Sequence, residues 1–374
     1  MKYSLRVGSL SLGVGSLLLA ACGSTATASV TRPLAPNYST VLETKTGDLF
    51  AEVRAYQHGQ VLEAKGGVLR LMTPQGVSTR GGVNLSLTPN GNTAWAAVIA
   101  AIDLYVSPIY VGPIGSWTPA ELSTAVAPFP GSVVPLNANA AVALVGSKAH
   151  GTGRQELVKI ASNGTVDQLI ATNPTLEQVA SLGRCQAPVY ESVAGSGADP
   201  TLLARCANPS LVALVSPLQG TGVWDRAPKG SAFVGFSRLV HLKGSRGSVA
   251  AAVVAPMRGG ADRVELIGSL TSKQVATLKG VPAASPSFAV TATREWVLIP
   301  LAGGRSQVVE FSSKGALLGD VSGPRQGQGL GISNGGHPLV IAGNPNGTAV
   351  TLWRQGTRGF VKGGSFTIPQ GVNG

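Results

Sequence analysis

Glu156–Ile170 reads ELVKIASNGTVDQLI, and its pattern decides the fold. Two short apolar-rich segments flank Ser-Asn-Gly-Thr, and Asn-Gly between such segments is a strong short-range signal for a hairpin. The same strand, turn and strand recur as GVLRLMTPQGVSTR at 67–80 and QVVEFSSKGALLGDV at 307–321. Each unit is a small meander that cannot bury its own faces.

Composition extends this to the whole chain. There are 50 Gly and 24 Pro in 374 residues, and runs of Val, Leu, Ile and Ala lie between turn signals such as PNGN, SNGT, SSKG and NPNGT. Short strands with glycine-rich turns imply an all-β domain and argue against helices.

Look-alike apolar strands begin at 49, 93, 140, 210, 248, 295 and 337, at intervals of 44, 47, 70, 38, 47 and 42 residues. Five intervals match one four-stranded propeller blade of roughly 40 to 50 residues. The expectation is a β-propeller of seven four-stranded antiparallel blades, whose ring leaves only short edges. A β-sandwich or a pair of small β domains is the alternative. The longer interval contains Cys185 and Cys206, so an insertion around 180–209 is expected there and is the candidate contact loop.

Two stretches carry a family resemblance: LYVSPIYVGPIGSWTPAEL, Leu104 to Leu122, and VTLWRQGTRGFVKGGSFTIP, Val350 to Pro369. Both are similar to the strand-turn-strand segments of Asp-box propellers, the group that includes sialidases. Ser107, Gly115 and Trp117 fit the turn of that family loosely, and its aspartate is missing. The family's arginine motif is also missing: FTIP at Phe366 to Pro369 has Thr in its place and lies at the wrong end of the chain. Sialidase chemistry is therefore not expected.

The amino terminus has its own signature. Lys2 and Arg6 precede an uncharged run from Val7 to Ala21, a secretory pattern too short for a permanent span, and no later segment is apolar enough to span. Leu19-Ala20-Ala21-Cys22 resembles the lipobox of bacterial lipoproteins. That resemblance implies acylation of the Cys22 thiol, cleavage before it, and a lipid anchor on the extracytoplasmic side of a bacterial membrane. Two or three acyl chains, at about 0.8 kcal/mol per buried CH₂, hold where one would be reversible. An ordinary cleaved signal with a chance cysteine is the alternative. The expected division is 1–21 signal peptide, 22–48 lipidated cysteine and Ser/Thr/Ala/Pro tether, and 49–374 propeller.

Once Cys22 is lipidated, Cys185 and Cys206 are the two remaining thiols in an oxidising space, and a disulfide between them is expected. Two free buried cysteines are the alternative.

The net charge of +12 falls by two when Lys2 and Arg6 are removed, so the mature chain stays basic. An exported basic protein meets anionic lipid or cell-wall polyanions first. Its Lys and Arg are scattered, so nucleic acid is not an expected partner.

Catalytic signals are weak. Gly331 to Gly335, GISNG, fits G-x-S-x-G, yet a strand-like GHPLVIAG follows Ser333 where an elbow needs a helix. His58, His150, His241 and His337 are isolated, and GPRQGQGLG at 323–331 lacks the Lys-Ser/Thr ending of a phosphate loop. No catalytic residue, cofactor or metal site is assigned.

The expected function is a lipid-anchored binding or scaffolding module, working through loops on one propeller face on an envelope protein or polyanionic wall partner. An envelope glycan hydrolase or lyase with acids in the central funnel and an assembly factor for an envelope complex are the alternatives. The chain leans away from being an enzyme.

Overall fold

The computed structural model describes residues 33–34, 40–55, 58–65, 68–72, 83–88, 90–99, 109–114, 120–122, 133–146, 155–163, 165–182, 184–196, 199–242, 247–268, 275–343 and 349–367. Among them the chain is almost entirely β.

The first meander is β1 (Thr40–Glu43), β2 (Leu49–Ala55), β3 (His58–Lys65) and β4 (Val68–Met72). The second is β5 (Val83–Leu87), β6 (Ala94–Ile99), β7 (Ile109–Pro113) and β8 (Ala120–Leu122). Then come β9 (Val133–Pro135), β10 (Ala140–Gly146), β11 (Gln155–Ala161) and β12 (Val166–Ala171), followed by the helix α1 (Asn173–Leu182). Next are β13 (Val189–Ser196), β14 (Asp199–Arg205), β15 (Leu211–Ser216) and β16 (Thr221–Arg226). After them lie β17 (Ser231–Phe236), β18 (Val240–His241), β19 (Ser248–Pro256), β20 (Arg263–Gly268) and β21 (Val275–Thr277). The last two meanders are β22 (Ser287–Val290), β23 (Arg294–Leu301), β24 (Arg305–Ser312) and β25 (Leu317–Ser322), then β26 (Gly327–Ile332), β27 (Pro338–Gly343), β28 (Ala349–Gly356) and β29 (Gly359–Thr367).

Pairing within each meander is antiparallel, and their leading strands touch in a closed ring: β1 to β5, β5 to β9, β9 to β13, β13 to β18, β18 to β22, β22 to β26, and β26 back to β1. Five meanders are free-standing sheets, four of four strands and one of five. The first and last are fused into one eight-stranded sheet by parallel pairing of β1 with β26. Five separate blades therefore stand where the spacing predicted seven. The cause is local: Gly331 lets the two backbones meet, since a Cβ there would lie 1.7 Å from the Val41 carbonyl oxygen.

Burial explains why the second strands read as unbroken apolar runs. Every residue of β19 from Ser248 to Ala255 is buried, because both faces of an inner strand pack on neighbouring sheets. The core clusters span adjacent meanders accordingly: Trp95 and Val111 meet Ala143 and Ile160, and Phe288 and Val297 meet Val253 and Val264. Outer strands such as β12, β16 and β25 are mostly exposed.

The insertion expected around 180–209 is also corrected. Residues 189–205 are the first two strands of a blade, and SLVALV at 210 is its third strand, where its look-alikes are second strands. The extra length is α1, an α-helix where the composition argues against helices. It begins with Asn173-Pro174, where proline's fixed φ suits the first turn and its missing donor costs nothing. Leu176, Val179 and Ala180 form its buried stripe against Val142, Leu157 and Leu202. The helix fills a gap between two sheets.

Part of the expected tether is folded too. Thr40–Glu43 is β1, and the Leu34 amide donates to the Val234 carbonyl at 2.6 Å.

Candidate functional site

The ring axis is crossed by the protein's own side chain. Arg238 lies in the break between β17 and β18, and its Nη2 reaches across the ring to Glu52 Oε2 on β2 at 3.6 Å. Its Nη1 donates to the Leu85 carbonyl on β5 at 3.0 Å. The neighbours of Arg238 are pinned. Ser237 Oγ accepts from the Ala251 amide at 2.8 Å, and the Leu239 amide donates to Ser192 Oγ at 2.9 Å. Glu52 is fully buried, and Arg238 is its ion-pair partner.

A cleft of 220 Å³ opens between the β13–β16 and β17–β21 sheets, lined by Asp199, Ser216, Gln219, His241 and Ser248 among others. Gln219 Nε2 donates to Asp199 Oδ2, while Asp199 Oδ1 is buried with no hydrogen-bond partner among the described residues. His241 Nδ1 stands 3.4 Å from Ser248 Oγ, beyond the usual reach of a base and its nucleophile, and Ser248 is 3% exposed. These groups can accept polar hydrogens from a small molecule. No group of three or more His, Cys, Asp or Glu among the described residues could hold a metal.

Cys185 and Cys206 form the expected disulfide, with Cα atoms 5.0 Å apart. It joins the residues just before β13 and just after β14, at the end of the ring where leading strands begin. Beside it, Glu191 Oε1 pairs with Arg205 Nε at 2.9 Å. Burial pushes the Glu191 carboxyl above its ordinary 4.5, and Arg205 opposes the shift only in part. Gln155 bonds both the amide and carbonyl of Tyr190 at 2.7 and 2.9 Å, pinning β13 to the neighbouring sheet.

The remaining sequence candidates separate. Ser333 sits in the β26–β27 hairpin, its Oγ accepting from the His337 amide at 3.1 Å. Thr44, Thr88, Thr291 and Ser312 cap their own turns in the same way, so Ser333 is one of a set of turn-forming hydroxyls. In the glycine-rich stretch 323–331, Gly327–Ile332 is strand β26. His337 is exposed in its turn and His241 borders the cleft. Cys22, Ser107, Gly115, Trp117, His150 and Pro369 lie outside the described residues.

One site was not legible beforehand. Strand starts and ends alternate between the two ends of the ring, and exposed cations collect at the end where leading strands begin. Arg226 closes β16, Lys229 follows it, Arg258 and Arg263 flank the β19–β20 turn, Arg305 opens β24, and Arg325 precedes β26. None of these six is in an ion pair among the described residues. Backbone bonds knit their segments into one rim: Met257 N to Gly230 O at 2.8 Å, Leu278 N to Asp262 O at 2.8 Å, and Gln326 N to Gly304 O at 2.7 Å. At one end of the rim, the guanidiniums of Arg184 and Arg226 lie 5.2 and 5.6 Å from the centre of the half-exposed Trp224 ring.

No family model matches the chain, and no curated protein matches it. Solved structures do. A putative 6-phosphogluconolactonase from Bacteroides fragilis aligns over 89% of this chain and 95% of its own at 12% identity, with a TM-score of 0.52. A second, from Bacteroides uniformis, covers 89% and 97% at 11% identity and a TM-score of 0.50. The Cps50 (Swd1) β-propeller domain of Myceliophteria thermophila covers 85% and 97% at 12% identity, with a TM-score of 0.49. At such identities the likeness to the two Bacteroides structures is one of fold. Together with the closed ring of antiparallel sheets, the class is plain: this chain is a β-propeller.

Proposed function

We propose that this propeller is an exported, lipid-anchored binding module of the bacterial cell envelope that works through one rim of the ring. In this reading the fused eight-stranded sheet counts as two blades, giving the sevenfold ring the spacing suggests. The observation that carries it is the contrast between axis and rim. The axis holds Arg238 paired to a buried Glu52, while the rim holds six exposed cations without ion-pair partners among the described residues. An enzyme with acids in a central funnel would need those acids free to face a substrate.

The lipid anchor rests on Leu19-Ala20-Ala21-Cys22. Metabolic labelling with palmitate tests it: the wild-type chain incorporates label and sediments with membranes, and Cys22→Ala loses both. Label retained in Cys22→Ala contradicts the anchor.

A further inference from the structure

We infer that the cationic rim binds a linear phosphate-bearing polyanion of the cell-wall polymer type. The inference deepens the binding-module reading and needs nothing of the lipid anchor. Arg226, Lys229, Arg258, Arg263, Arg305 and Arg325 follow one another around the β16–β26 side of the ring. Their segments are joined by the backbone bonds Gly230 to Met257, Asp262 to Leu278 and Gly304 to Gln326, so the cations sit on a connected rim with a fixed order.

Asp262 lies between Arg258 and Arg263 without pairing to either among the described residues, and cations gathered without ion-pair partners repel one another, a repulsion that a bound anion removes. Five of the six are arginines, whose planar fork pairs bidentately with phosphate, whereas lysine acts as a point charge. The cations follow one another in a row along the rim. A flexible chain carrying one charge per repeat can follow such a row and displace counterions at each step.

The opposite end of the ring supplies the contrast. There, among the described residues, Arg294 is paired to Glu310 and Lys45 shares the β1–β2 turn with Asp48, whereas on the rim Asp262, between Arg258 and Arg263, makes no ion pair. Net charge alone would favour neither end.

The test uses the full chain in neutral detergent and poly(glycerol phosphate) as the probe. A rim variant, Arg226→Glu/Arg258→Glu/Arg305→Glu, is compared with an opposite-end variant of equal charge change, Lys45→Glu/Lys314→Glu/Arg358→Glu. The expected result is at least a tenfold loss of affinity for the rim variant and less than twofold for the other. Arg226→Gln/Arg258→Gln/Arg305→Gln should give an intermediate loss, and serves if charge reversal impairs folding. Wild-type binding should weaken steeply with salt. Equal losses in both triple reversals, or no loss in the rim variants, overturn the inference. So does tighter binding to anionic phospholipid vesicles or to duplex DNA than to the polymer at the same salt. Binding by the rim to one of those other anions would keep the binding-module reading while removing this partner.

Discussion

Arg238 and Glu52, 186 positions apart in the chain, meet across the ring axis at 3.6 Å, with side chains 15% and 0% exposed. Removing one partner of such a buried pair leaves the other uncompensated, at a cost of about 3 kcal/mol. Arg238→Met should lower the urea midpoint accordingly, and adding Glu52→Gln should restore part of the loss. An Arg238→Met midpoint equal to wild type would mean that the axial pair contributes nothing to the fold.

The Cys185–Cys206 bridge closes a sequence separation of 21. By the chain-entropy estimate it stabilises the protein by about 3 kcal/mol, so Cys185→Ala/Cys206→Ala should unfold at correspondingly lower denaturant. Thiol titration of the unfolded, unreduced mature chain adds a count. Zero sulfhydryls fits a bridged pair with a lipidated Cys22, and two or more contradicts the bridge.

Gly331 sits where β1 and β26 pair in parallel, and a Cβ would fall 1.7 Å from the Val41 carbonyl oxygen. Backbone cannot give way as a side-chain tip can. Gly331→Ala should cost about 3 kcal/mol or more and loosen protection of β1 amides. Gly319, with nothing within 4 Å of the same construction, is the control, and Gly319→Ala should be nearly neutral.

Glu191 gives a pH dependence with a definite sign. Burial raises its folded value above the ordinary 4.5, so the folded chain holds this proton longer than the unfolded one. Stability from this group is then fully present below the ordinary value and is lost as pH rises through the raised one. Asp262, raised above 3.8 by burial, contributes with the same sign. Subtracting the Glu191→Gln stability curve from wild type should give a difference that falls with rising pH above 4.5. A difference that climbs through that window would show the carboxylate to be stabilised in the fold.

Much of the architecture was readable locally. Asn163 turns ELVKIASNGTVDQLI back on itself, its Oδ1 accepting from the Thr165 amide at 3.1 Å, and the strand spacing led directly to a ring of meanders. The phase slip at SLVALV misled because a third strand buried on both faces has the same Val-Ala-Leu composition as a second strand. Helix α1 was hidden by its brevity, since only Leu176, Val179 and Ala180 mark its stripe. The disulfide followed from counting cysteines once Cys22 was set apart. The Arg238–Glu52 pair left no trace in the sequence, because nothing local links an arginine in a strand break to a glutamate so many strands away. The rim was equally invisible: Arg226, Arg258 and Arg305 are scattered along the chain and share one end only after strand directions alternate.

Amide hydrogen exchange of the full chain in neutral detergent, with and without poly(glycerol phosphate), tests most directly whether the rim is the working surface. The account predicts slowed exchange in 226–230, 256–263, 302–305 and 323–326, and no change around Arg238 or in the turns at the opposite end. Protection confined to the segments lining the axis, with the rim unchanged, would contradict it.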